Sequence, residues 1–155
     1  MAGKRDYLMK NPFTQLYLHC VWATWDRLSL LTPEIERAVY TAIFTKCREL
    51  KCEPLAINGM PDHVHLLVRI HTTISVAQLM KEVKGASSHL VTHEIIPGKF
   101  FKWQGTYGAF TLAKAAVPEI EAYIQRQKEH HAEGRLQPEW EQAETGDESY
   151  EGGTL

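Results

Sequence analysis

The 155-residue sequence lacks the long apolar runs and paired cysteines that mark several large protein classes. No apolar stretch approaches the roughly 18 residues of a membrane span, and the opening MAGKRDYLMKNPF contains nothing resembling a secretory signal. Cys20, Cys47 and Cys52 form no CxxC pair, which argues against a disulfide framework and against a cysteine zinc site. We therefore expect a cytoplasmic protein with reduced thiols and no membrane contact.

The small net charge of −2 conceals an uneven distribution of charged residues. The segment from 139 to 155 contains six acids and no lysine or arginine, so residues 1–138 carry 17 basic against 13 acidic side chains. A mildly basic body is compatible with phosphate binding without requiring it. We predict one domain over residues 1–138, followed by an acidic and flexible tail over 139–155.

Hydrophobic periodicity predicts four strands and three helices. Thr32 and Pro33 mark a helix start, as does Ser75, and Gly85 is expected to interrupt the second helix. The resulting βαββαβ order with an extra C-terminal helix matches an α+β, ferredoxin-like sandwich. Its antiparallel sheet would have the first and third strands at its centre, helices on one face, and the other face free for a ligand. The predicted strands cover 15–25, 54–58, 63–70 and 107–113, and the helices begin near 33, 75 and 118.

His63 and His65 flank Val64 at the start of the third predicted strand. Side chains alternate between the faces of a strand, so both imidazoles lie on one face and could reach a single ion. Neutral imidazole is a common metal ligand, but two hydrogen-bonded histidines in a sheet would give the same pattern. The pair alone therefore leaves a metal site and a structural role open.

Tyr123 and Gln127 lie four residues apart in the last predicted helix. This spacing places the phenol and the amide on one helix face. They could supply a nucleophile and a polar ligand, or form an exposed packing pair. The helix pattern alone does not separate these alternatives.

Three motifs in order, PDHVHLLV, KWQGTYGAF and YIQRQKEHH, resemble the single-tyrosine HUH (His-hydrophobic-His) transposases of bacterial insertion sequences and the REP-associated tyrosine transposases. The resemblance covers residues 12–131. It implies that Tyr123 is the nucleophile, and that His63, His65 and Gln127 bind a divalent metal, Mg²⁺ or Mn²⁺. It also implies cleavage and rejoining of single-stranded DNA through a 5′-phosphotyrosine, recognition of a hairpin element, and a homodimer whose sites are commonly completed in trans.

Several further residues could contact the DNA. Lys81, Lys84, Ser87 and Ser88 form a basic, small-residue stretch that could admit a phosphate backbone or be a solvated helix face. Trp103 could stack on a base or fill the core. All five residues are therefore candidate DNA contacts.

Two other polar features adjoin the motifs. Asp62 could orient a neighbouring imidazole or cap a turn. His130 and His131 near the predicted end of the last helix are interpreted as groups that cap its carbonyls rather than as metal ligands.

Two other functions remain open at this point. A ferredoxin-like order is also found in non-catalytic modules that bind single-stranded nucleic acid. A small metal hydrolase with an incidental tyrosine would share the histidine pair. Only the transposase hypothesis requires Tyr123 to become covalently attached to DNA.

Overall fold

The computed structural model describes residues 12–143, in which one four-stranded antiparallel sheet carries helices on both faces. The strand order β2-β3-β1-β4 places the first and third strands at the centre, as predicted. The α+β fold class is thereby confirmed. The elements are β1 (Tyr17–Ala23), α1 (Pro33–Glu49), β2 (Glu53–Met60), β3 (His63–Arg69), α2 (Val76–Leu90), β4 (Gly108–Leu112), α3 (Val117–Gln125) and α4 (Gln127–Glu133).

Strand β3 is hydrogen-bonded along both of its edges. It pairs with β1, where His65 lies opposite Val21, and with β2, where His63 lies opposite Met60. Two ladders fix the backbone of β3 more firmly than one could. The histidine pair therefore starts from a rigid backbone.

One face of the sheet is covered by α1 and α2. Val64, Leu66 and Val68 of β3 point to this side and are completely buried. They pack against apolar side chains that recur at helical spacing along α1 and α2. The alternating residues of the strand and the helically spaced residues of the helices thus form one core. The helical residues buried here include Ile35, Val39, Ile43, Leu79, Met80 and Val83.

The opposite face is less open than we predicted. Ile120 and Ile124 of α3 pack against Ala56 of β2 and Leu67 of β3 in a second, smaller cluster. The prediction of a free ligand face was wrong for this part of the sheet, because the last helix buries its own apolar stripe there. His63 and His65 lie beside this cluster on the same face of the sheet.

The last predicted helix is divided into two. Arg126, with φ −101° and ψ 18°, separates α3 from α4, and Gly134 in the left-handed region ends α4. Tyr123 and Gln127 consequently lie on two successive helices, although both side chains are buried.

Some of the residues predicted to start or interrupt a helix do so in the structure, and others do not. Ser75 accepts a hydrogen bond from the backbone N–H of Gln78 and caps α2. Thr32 precedes α1 without a hydrogen bond from its side chain to any residue in 12–143, and Pro33 takes the first helical position. Gly85 does not interrupt α2, which continues into a π-helical turn at Val91–Ile95. Within the described part of the chain, no helix is long and apolar enough to cross a membrane.

Gly59 and Gly85 differ in how closely other atoms approach them, and this difference can be tested by substitution. A Cβ on Gly59 would lie 2.2 Å from the backbone oxygen of His63, whereas a Cβ on Gly85 meets nothing within 4 Å. We expect Gly59→Ala to lower the free energy of unfolding by about 1–3 kcal/mol through this steric conflict. Gly85→Ala should raise it by roughly 0.5–1 kcal/mol, because alanine is the better helix former. Urea denaturation monitored by circular dichroism measures both; a Gly59→Ala protein as stable as the wild type would contradict the close approach.

Candidate active site and metal centre

The imidazoles of His63 and His65 converge on one carboxylate. Both rings are buried, and their Nε2 atoms lie 3.3 Å and 2.9 Å, respectively, from Oε2 of Glu141. One ligand atom from each of the three residues can be chosen such that all lie within 4.8 Å of one another. Two imidazoles and one carboxylate thus form a compact set of donor atoms.

The Nδ1 atom of each imidazole contacts a polar group on the side of the ring away from Glu141. Nδ1 of His63 lies 2.7 Å from Oδ1 of Asp62, and Nδ1 of His65 lies 2.9 Å from Nε2 of His19 on β1. Such outer contacts fix the orientation of a ligand imidazole and its tautomer. Asp62 therefore occupies the orienting position that was one of its two predicted roles, and both Nε2 atoms are directed into the site.

Burial and the carboxylates act in opposite directions on this cluster. Burial, reinforced by His65, lowers the pKa of His19 to about 3, so His19 is neutral. Burial also lowers the pKa of His65, whereas the contacts of His63 with Glu141 and Asp62 outweigh burial and raise its pKa. Although burial opposes ionisation of Glu141, its close contacts with His63 and His65 hold its pKa well below the usual range. The carboxylate is therefore anionic.

Tyr123 is joined to the same carboxylate. Its hydroxyl donates to Oε1 of Glu141 at 2.5 Å and accepts a hydrogen bond from the backbone N–H of Gln137. The ring stacks on His130, with centroids 4.8 Å apart. Burial, together with the hydrogen bond to Glu141, raises the pKa of Tyr123 to about 12, so the phenol is protonated at neutral pH.

Gln127 is fully buried beside the tyrosine. Its Nε2 donates to Oε1 of Glu141 at 3.2 Å, and its Oε1 lies 3.0 Å from Nε2 of His131. The amide thus contacts the carboxylate of Glu141 while its oxygen contacts His131. Its role as a metal ligand stays a prediction.

Three residues of this site have roles that the sequence did not predict. His131 was interpreted as a helix cap, but its ring lies 4.9 Å from that of His63. His19 could have been found from its place on the predicted central strand beside the histidine strand. Glu141 belongs to the segment predicted to be a tail, and no periodic pattern distinguishes it from the other acids there. The rest of that predicted tail, from 144 to 155, lies outside the described residues.

The donor atoms fit a divalent metal ion. Nε2 of His63 is buried, and no atom in residues 12–143 meets hydrogen-bond geometry with it. A buried ring nitrogen directed into a cluster of donors is suited to bind a cation through its lone pair. Two imidazole nitrogens beside an oxygen donor suit first-row divalent ions.

The predicted DNA contacts divide into two groups. Trp103 is 5% exposed and donates its indole N–H to the buried Ser87, so both serve the core in this structure, because their polar atoms satisfy each other. Lys84 donates to two backbone carbonyls in the segment before β4. Lys81 is exposed and Ser88 is partly exposed. Of the five candidates, Lys81 and Ser88 remain the most accessible to a ligand.

Known proteins share both the sequence and the fold. A family model described as "Transposase IS200 like" matches residues 12–127. The ISDra2 transposase TnpA of Deinococcus radiodurans is 25% identical over 118 residues, which cover 73% of this chain and 84% of the relative.

Two solved structures resemble the chain in fold. The crystal structure of a transposase candidate from Deinococcus radiodurans R1 has a TM-score of 0.57 at 24% identity, covering 76% of this chain and 95% of the other. A REP-associated tyrosine transposase bound to a REP hairpin has a TM-score of 0.59 at 15% identity, covering 82% of this chain and 74% of the other.

The fold and the site together define a ferredoxin-like α+β protein in which a histidine pair on a central strand faces a tyrosine. The family match extends over most of the chain and includes His63, His65, Tyr123 and Gln127. The chain belongs to the IS200-like transposase family, which is consistent with a role in DNA transposition.

The contact between His19 and His65 gives a prediction for metal binding. His19→Phe keeps an aromatic ring in the buried position but removes the nitrogen 2.9 Å from His65. We expect Mn²⁺ affinity to fall about 10- to 100-fold, the usual cost of losing an outer partner of a ligand histidine. Calorimetric titration with Mn²⁺ measures this, and His89→Phe on the exposed face of α2 is the control. Equal affinities in both variants would exclude an orienting role for His19.

Proposed function

We propose that this protein is a metal-dependent transposase that cleaves and rejoins single-stranded DNA through a covalent bond to Tyr123. The observation that carries the proposal is the shared carboxylate. Glu141 accepts a hydrogen bond from the Tyr123 hydroxyl with one oxygen, while its other oxygen lies against the Nε2 atoms of His63 and His65. The proposed nucleophile and the two imidazoles proposed to bind the metal thus share one carboxylate.

The proposed reaction is a reversible transfer of a phosphodiester. The Tyr123 oxygen would attack phosphorus, the bond from phosphorus to the 3′ oxygen would break, and the phenol proton would be lost to solvent. The departing oxygen would take up a proton, giving a 5′-phosphotyrosine and a free 3′-OH. Attack by a 3′-OH on the phosphotyrosine would form a new phosphodiester, break the bond from phosphorus to the Tyr123 oxygen and regenerate the phenol, so that rejoining needs no nucleotide energy source.

His63 and His65 would hold the divalent ion, with Gln127 as the further ligand implied by the family resemblance. When bound, Mg²⁺ or Mn²⁺ would polarise the scissile phosphate and offset the negative charge that develops on its oxygens. Imidazole and amide ligands are neutral, so they would not reduce the charge of the ion. Asp62 and His19 would maintain the orientation of the two rings.

Tyr123 needs activation before it can attack. Its pKa of about 12 means that the phenolate is scarce at neutral pH. Its hydroxyl is also bonded to Glu141 and to the backbone of Gln137. The hydroxyl must therefore exchange these partners for the phosphate during attack, and a positive ion beside it would stabilise the phenolate.

A cleft of about 470 Å³ leads from the surface to His63 and Glu141. Arg27 lies on its wall, and the guanidinium is half exposed and 3.7 Å from Asp62. A guanidinium at this position could contact a DNA phosphate near the reacting bond. Lys81 and Ser88 would contact the DNA farther away, and we propose single-stranded DNA carrying a hairpin as the substrate.

We also propose a homodimer. Moving a DNA segment requires attack at two ends, and each chain would supply one nucleophilic tyrosine. In this structure Tyr123 lies near His65 of its own chain, with ring centroids 6.1 Å apart. Each half of such a dimer would thus carry a complete site in cis.

Covalent capture of DNA tests the proposed nucleophile. Tyr123→Phe should abolish the denaturant-resistant adduct formed with single-stranded oligonucleotides from the genomic flanks and Mn²⁺, and EDTA should abolish it in the wild type. Denaturing gel electrophoresis measures the adduct. Tyr40→Phe is a matched control, because the Tyr40 hydroxyl likewise donates to a glutamate but lies in α1.

The alternative functions predict different gels. DNA binding without an adduct from any of these proteins would favour a non-catalytic module that binds single strands. Cleavage that persists in Tyr123→Phe without a covalent product would favour a metal hydrolase. Loss of the adduct in Tyr40→Phe as well would mean that the assay reports stability rather than the nucleophile.

A further inference from the structure

We propose that Glu141 is itself a ligand of the catalytic metal, supplied by the segment that follows α4. This inference rests on the proposed function, because it assigns a further residue to the metal site of that reaction. The sequence and the family resemblance predicted His63, His65 and Gln127 for this role. The structure places Oε2 of Glu141 2.9 Å from Nε2 of His65 and 3.3 Å from Nε2 of His63, whereas the Asp62 carboxylate contacts His63 through Nδ1.

The spacing of the donor atoms matches coordination. Adjacent ligands of an octahedral ion, each bound at about 2.1 Å, are about 3 Å apart. The Oε2 atom of Glu141 lies 2.9 Å and 3.3 Å from the two Nε2 atoms. The longer of these contacts does not meet hydrogen-bond geometry, which leaves Nε2 of His63 without a partner among the described residues. An ion among the three donors would satisfy it.

The chemistry of the set also favours Glu141 over Gln127. Two histidines and one carboxylate can occupy three positions of a six-coordinate ion and leave the others for phosphate and water. An anionic oxygen attracts Mg²⁺ or Mn²⁺ more strongly than a neutral amide does. The Gln127 amide contacts the carboxylate through Nε2 and His131 through Oε1, so it can orient Glu141.

The residues on either side of Glu141 pack against the rest of the domain. The carbonyl of Gln142 passes so close to Gly108 in β4 that a Cβ there would be 1.9 Å from its oxygen. Ala143 is 3% exposed, and Trp140 packs edge-on against Tyr123 with centroids 4.8 Å apart. Contacts on both sides of Glu141 thus position its carboxylate, whereas Glu139, the other described acid of this segment, is exposed.

The test is Mn²⁺ binding to the full-length, DNA-free protein, followed by electron paramagnetic resonance of the free ion. Glu141→Gln keeps the side-chain shape and should weaken binding at least about tenfold, because an anionic ligand is lost. Glu139→Gln removes the same charge from an exposed position two residues away and should have no effect. Thermal melts establish that the variants are folded.

Three further variants test the assignment of Glu141 and of the histidines separately. Gly108→Ala should weaken Mn²⁺ binding without altering any donor atom, because it forces the Gln142 backbone away. Gln127→Leu should weaken binding less than Glu141→Gln. The double variant His63→Ala/His65→Ala should abolish specific binding and so reports on the metal site of the proposed function.

The outcomes separate the two proposals. If Glu141→Gln binds Mn²⁺ as tightly as the wild type, or more tightly with more DNA adduct, Glu141 is not a ligand and the inference is overturned. The metal site of the proposed function then stands, provided that the double histidine variant loses binding. If the wild type binds no Mn²⁺, or binding survives loss of both histidines, both proposals fail.

Discussion

The site depends on the alternation of side chains along β3. Val64, Leu66 and Val68 enter the core beneath α1 and α2, while His63 and His65 face the other side. A shift of one residue in register would bury the histidines in the apolar core and expose the valines. The stability of the domain and the placement of the two imidazoles are therefore set by the same strand pairing.

Placing polar rings on a central strand has a free-energy cost that the surrounding residues must offset. A buried imidazole without partners loses its hydrogen bonds to water. Asp62 and His19 each contact one Nδ1 atom, and the Glu141 carboxylate lies at the Nε2 side. These contacts also orient the rings, so the interactions that reduce the cost of burial are the ones that direct both Nε2 atoms into the site.

The parts of the fold that are visible in the sequence are those with a local period. Alternating residues and helical spacing were enough to predict four strands, the central position of β3 and the proximity of His63 to His65. Glu141 was not predicted, because its position depends on how a short non-periodic segment passes over Gly108. The burial of Trp103 is likewise set by contacts between distant elements, and local pattern left its two alternatives open.

The break at Arg126 separates the two helices that carry Tyr123 and Gln127. The break starts a second helix at Gln127, whose amide contacts Glu141. Tyr123 and Gln127 therefore both reach the carboxylate that faces the histidines of their own chain. Under the proposed function, a dimer would supply a second cut rather than build the first site, because one chain already brings these groups together.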